Sequence, residues 1–162
     1  PPRSLSKCHS GIALFLHILA AVIWVGGMFF AHVVLRPIAA GQLEPPVRLT
    51  LWVGVFKRFF ALVFVAIATL LVTGYWMILS FYGGFDAVGL HVHIMIWIGY
   101  VMILNFFHVF FAPFKRLKRA VASEDWAAGG KSLAQIRSLV GVNLLIGLAI
   151  IAIASGGRYL LA

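Results

Sequence analysis

The sequence predicts an all-α integral membrane protein, a bundle of four transmembrane helices with both termini on the outer, periplasmic side. Three observations predict it. The 162 residues are 63% hydrophobic and only 10% charged, with a mean hydropathy of +1.05. Soluble domains carry about a quarter charged residues. Four apolar runs approach or exceed the roughly 20 residues needed to cross a bilayer. The basic residues fall on alternate connections between those runs, which is topology information. A single domain covers residues 1–162.

Residues 1–10, PPRSLSKCHS, are polar and end near a membrane face. The first span covers 11–34. No small-residue cleavage site follows it, so it reads as a retained helix, not a signal peptide. Arg36-Pro37 should end it, because proline cannot continue the hydrogen-bond ladder. Pro45-Pro46 marks a turn in the first connection. The second span covers 59–79, with Lys57 and Arg58 snorkelling to the interface on their alkyl stems. Tyr82 to Asp86 forms a short turn, and the third span covers 90–112 before Pro113. The segment FKRLKRAVASEDWAAGGKSLAQIR reads as an interfacial helix and turn. The fourth span covers 138–155 and is ended by Gly156-Gly157.

Four spans place the first and third connections on the face opposite the termini. That face collects Arg36, Arg48, Lys57, Arg58, Lys115, Arg116, Lys118, Arg119, Lys131 and Arg137, against Arg3, Lys7 and Arg158 on the terminal face. Ten against three predicts that the basic face is cytoplasmic in a bacterial inner membrane. The formal charge of +9 is thereby accounted for by topology and lipid, not by nucleic acid.

The chemistry-bearing residues are histidines. His17 and His32 in the first span, and His93 and His108 in the third, are each fifteen residues apart. In a helix that is about 22 Å of rise and about 60° beyond four full turns. Spans one and three run in the same direction, so His17 and His93 should share one depth and His32 and His108 another. Ionisable groups inside a span are functional hypotheses by default. Facing imidazoles are the axial ligands of a b-type haem, so one or two haems passing electrons to a quinone are expected, with Trp24 lining the site. The competing chemistry is copper: Cys8, His9, His91 and Met95 lie in the outer half, and His with sulfur suits the cuprous ion. His91 and Met95 share a helix face at i,i+4.

Other chemistry is excluded. Glu44, Asp86, Glu124 and Asp125 all fall in connections, so no span holds the carboxylate of a proton-coupled pathway. Ser80 and Ser155 stand at span ends without a carboxylate–histidine partner for hydrolysis. Cys8 is the one cysteine and forms no internal disulfide. Asn143 is read as the single buried amide, bonding between helices. The glycine-rich spans permit a homodimer.

HILAAVIWVGGMFFAHVVLRP, HVHIMIW, FFAPFKRLKRAV and IRSLVGVNLLIGLAIIAIASG resemble the CopD-like (copper resistance protein D) integral membrane family, most strongly at residues 12–37 and 89–157. The resemblance implies copper handling. The chain is also similar to the HemJ-type protoporphyrinogen oxidases, which bind haem b. The shared features are His17 followed by Trp24, and a third-span start of the form His-x-Lys, here His91-Val92-His93. That resemblance implies haem ligation by His17 and leaves the lysine of that pattern replaced by His93.

Overall fold

The computed structural model describes the backbone of residues 3–160 and the side chains of residues 8–156. The side chains of Arg3, Lys7 and Arg158, which enter the predicted charge asymmetry, lie outside the described residues. Every long element is helical: α1 (Arg3–Phe29), α2 (Arg36–Gln42), α3 (Pro45–Ser80), α4 (Leu90–Phe111), α5 (Pro113–Ala122) and α6 (Trp126–Leu160). Four continuous helical stretches are long and apolar enough to cross a membrane: Cys8–Gln42, Pro45–Ser80, Leu90–Ala122 and Trp126–Gly156. The chain is a multi-pass membrane protein built as a four-helix bundle.

The four predicted spans fall inside these stretches, but the helices overrun them at the basic end. The helix expected to stop at Arg36-Pro37 continues to Gln42. The residues between α1 and α2, Phe30–Leu35, form a π-helical turn in which the Arg36 N–H bonds the Ala31 carbonyl five residues back. A proline ring clashes with the carbonyl four residues before it in α-geometry. The wider turn displaces that carbonyl and lets the helix pass through Pro37. Pro45-Pro46, expected in a turn, instead starts α3. Glu44 is extended, with φ −61° and ψ 152°, as a residue before proline should be, and the missing N–H groups fall where a helix needs none.

The segment expected to be an interfacial helix and turn is α5, a tight reversal, and the first three turns of α6. Glu124 adopts a left-handed φ of 56°. Around it Asp125 N–H bonds Ala120 O at 2.9 Å and Glu124 N–H bonds Val121 O at 3.2 Å, a Schellman closure. Asp125 Oδ1 then accepts the Ala128 N–H at 2.9 Å, capping α6. Gly156-Gly157 does not end α6, which runs on to Leu160; glycine is common within membrane helices. At the other end, the α3–α4 turn uses Gly83 and Gly84 at φ 85° and 125°.

The overrun has a consequence for packing. At the basic end, α2, the start of α3, α5 and the start of α6 bury Leu49, Leu117, Ile136 and Pro113 almost completely, making a helical cap beyond the membrane. Within the membrane the helices present apolar side chains outward, such as Val72, Trp97, Leu104 and Leu145, where lipid replaces water as the solvent.

The bundle consists of two tightly packed pairs, α1 with α3 and α4 with α6. Aromatic rings fill the space between the pairs. Trp24 meets Phe106 edge-on at 6.2 Å, Phe60 meets Phe106 at 5.4 Å and Phe114 at 5.0 Å, and Phe64 meets Phe110 at 5.0 Å. Edge-to-face pairs of this kind favour one fixed arrangement. Nearer the terminal end, the Tyr75 and Tyr100 hydroxyls hydrogen-bond from α3 to α4. Within the second pair, Asn105 donates to Leu139 O at 3.0 Å and Asn143 Oδ1 at 2.8 Å, while Asn143 donates to Met102 O at 3.1 Å. Asn143 is buried and bonds between helices as expected, with half-buried Asn105 as its partner.

Candidate functional site: the histidines of α1 and α4

α1 is organised around glycines on its neighbours. His17 lies half-buried against α3, where a Cβ added at Gly74 would come within 3.3 Å of the imidazole Cε1. His32, in the π-helical turn, lies against α6, where a Cβ at Gly141 would come within 3.1 Å of its Cε1. Each ring thus packs closely over a glycine, where an added Cβ would press on it.

The hydrogen bonds around His17 fix its tautomer. Its Nδ1 is 2.8 Å from Thr73 Oγ1, and Thr73 Oγ1 is 2.6 Å from the Thr69 carbonyl. The hydroxyl has a single hydrogen, and a carbonyl can only accept, so that hydrogen goes to Thr69. His17 Nδ1 must then be the donor. Its proton then sits on Nδ1, and the Leu70 backbone is a further hydrogen-bond partner of the ring. His93 repeats the pattern: Nδ1 is 3.3 Å from the Gly89 carbonyl, so Nδ1 again donates and Nε2 is left free. Anchoring one ring nitrogen so that the other can ligate is the usual outer-shell arrangement of a metal-binding histidine.

The expected facing pairs are not assembled. His17 lies against α3 and His32 against α6, while His108 is exposed on α4. His93 bonds within its own helix. Trp24 is buried, but against Phe106. The space bounded by Trp24, Phe60, Phe106 and Asn143 is a cavity of about 10 Å³, roughly the room for one water and far short of a macrocycle. The physical reason lies in helix rotation. A fifteen-residue spacing puts two histidines on roughly one side, but only packing decides which neighbour that side meets.

The sulfur- and nitrogen-bearing residues at the terminal end are accessible. Cys8 and His9 are exposed, and His91, His93 and Met95 are half-exposed in the first turns of α4. The His91 ring folds onto its own helix start, 2.9 Å from the position of a Cβ at Gly89. Among the described residues, no three His, Cys, Asp or Glu side chains converge. Sequence reading overlooked Thr73, Gly74 and Asn105. Thr69 and Thr73, spaced i,i+4 inside an apolar run, were the available signal for the first.

A family model for copper resistance protein D, CopD, matches residues 53–156. The match therefore runs from α3 through α6 and includes His91, His93, Met95 and His108, but not α1. No curated protein and no solved structure matches the chain.

Proposed function

The chain belongs to the copper resistance protein D family, and on that premise we propose that it handles copper at the bacterial inner membrane, with the copper ion as cargo. The family match carries the reading. Donor chemistry at the terminal end supports it: His91, His93 and Met95 lie within the matched segment, and Cys8 and His9 stand at the same end of the bundle. Imidazole nitrogen and thioether sulfur suit the cuprous ion. In this reading the basic cap faces the cytoplasm, the donors face the periplasm, and His93 offers Nε2 because Gly89 O holds its Nδ1–H. His17, deeper in the membrane, is likewise held at Nδ1, by Thr73. The aromatic layer around Phe60 and Phe106 closes the route beyond.

The experiment is a Cu(I) competition titration of the purified protein with wild-type, His91→Ala and His93→Ala chains. Copper handling predicts stoichiometric binding that weakens in both variants and is unchanged in a His108→Ala control; no stoichiometric binding by the wild type, or binding indifferent to both substitutions, overturns it. A second reading, haem b ligated through His17 and His93 in an electron-transferring protein with a quinone partner, rests on one observation, the hydrogen-bonded Nδ1 of both rings. Its test is the visible spectrum of protein produced with haem supplied. A Soret band lost in His17→Ala favours it, and a colourless protein removes it.

A further inference from the structure

His32 is the one intramembrane histidine whose neighbours are cationic. Its ring rests on α6 at Gly141. Arg137 lies one turn before Gly141 on α6, and Arg36 one turn after His32 along the same helix. The charges of both guanidinium groups reach the imidazole. No carboxylate answers them: among the described residues neither arginine has an ion pair or hydrogen-bonded side-chain partner. The four acids of the chain are elsewhere, with Glu124 and Asp125 in the α5–α6 turn, Glu44 beyond α2 and Asp86 at the opposite end. Two guanidinium groups and an imidazole in one seam, with every acid kept away, are a set of donors without an acceptor.

The surroundings indicate what the acceptor is. The seam lies where the helices leave the predicted hydrocarbon region, at the depth of lipid headgroups. On its span side, Val33, Val142 and Leu145 are exposed and apolar. Guanidinium forks match phosphate oxygens in geometry as well as in charge. We propose that His32, Arg36 and Arg137 form a phosphate-binding seam between α1 and α6, occupied by the headgroup of an anionic phospholipid whose acyl chains lie along Val142 and Leu145. The bound phosphate supplies the counter-charge that the protein itself lacks. It ties the π-helical turn of α1 to α6 without any direct hydrogen bond between them. This site is independent of the copper reading, since it uses none of the proposed copper donors.

The test is native mass spectrometry of the protein released from nanodiscs of mixed phosphatidylglycerol and phosphatidylcholine. The expected result is one phosphatidylglycerol retained per chain in preference to phosphatidylcholine. Arg36→Gln and Arg137→Gln should each reduce retention about fivefold, the usual effect of one basic residue at an anionic surface. Lys118→Gln, which removes a cation of the same cap outside the seam, should leave retention unchanged. Arg137→Lys keeps the charge without the fork, on an exposed side chain that folding tolerates, and should fall between wild type and Arg137→Gln. A parallel thermal shift with inorganic phosphate separates the sources. Protection by phosphate without preferential lipid retention, lost in Arg137→Gln, assigns the same seam to a soluble phosphate. Equal retention of the two lipids with no phosphate effect, or retention indifferent to both arginine substitutions, overturns the proposal.

Discussion

Replacing Thr73 by valine isolates the contact that orients His17. Valine nearly preserves the shape of threonine and removes only the hydroxyl, so the fit of the ring against Gly74 is kept. The helix is not broken, because the Thr69 carbonyl retains its backbone partner. What is lost is the Thr73 partner of His17 Nδ1–H, 2.8 Å away, while the Leu70 backbone partner of the ring remains. A buried donor left without a partner costs about 1–3 kcal/mol. His17 is only half-buried, and hydrogen bonds between membrane helices average about 0.6 kcal/mol with a maximum near 1.7. The expected loss of bundle stability is therefore about 1 kcal/mol. The sharper readout is the ring itself. Nitrogen NMR of histidine-labelled protein in nanodiscs should show His17 protonated at Nδ1 in the wild type and as a tautomer mixture in Thr73→Val. Thr73→Ser should restore the wild-type signal. Because only the Nδ1–H tautomer exposes a ligating Nε2, any copper affinity due to His17 should fall severalfold in Thr73→Val, about tenfold for each 1.4 kcal/mol. A wild-type ring carrying its proton on Nε2, or identical ring signals in Thr73→Val, would refute the assignment.

Other consequences are equally direct. Gly27→Ala places a Cβ 2.2 Å from Phe59 Cε2; overpacking typically costs about 1–3 kcal/mol, and since the half-buried Phe59 ring can swing aside, a loss near the lower end should appear in a thermal melt in detergent. Gly26→Ala meets nothing within 4 Å and should be neutral; equal effects at the two positions would contradict the packing of α1 on α3. A double-mutant cycle with Asn105→Leu and Asn143→Leu should give a coupling of about 0.6–1.7 kcal/mol in reversible unfolding, and additive losses would show that the amides do not pair. Cys8, exposed near the terminal end, is a natural topology reporter: a membrane-impermeant maleimide should label it in spheroplasts, and labelling confined to inverted vesicles would reverse the proposed orientation.

The four spans were legible because each apolar run approaches or exceeds the length needed to cross a bilayer, which little else in a protein of this size explains. Helix ends were not. Pro37 reads as a stop only if the preceding turn is α-helical, and the π-helical turn at Phe30–Leu35 removes that premise. The basic segment read as a surface feature because its charges dominate the composition, yet Phe114, Leu117 and Ala120 recur on one side and are buried. At the candidate site, the residue types were visible and their partners were not. His17 meets Thr73 across 56 positions of sequence, a relation set by how α1 and α3 dock. His93 and His108 both lie on α4, where His108 is exposed, and His32 rests against Gly141 of α6, neighbours that spacing along one helix does not reveal. His91, His93 and Met95 fall within the CopD match.

The copper reading is tested most directly by reconstituting the protein in proteoliposomes and titrating Cu(I) against a competing chelator on the face that bears Cys8. The account predicts stoichiometric binding on that face, weakened about tenfold or more by His93→Ala, which removes a ligand whose loss from such a set usually costs at least that much. Wild-type protein that binds no Cu(I), or binds it equally well after His91 and His93 are both replaced, would contradict it.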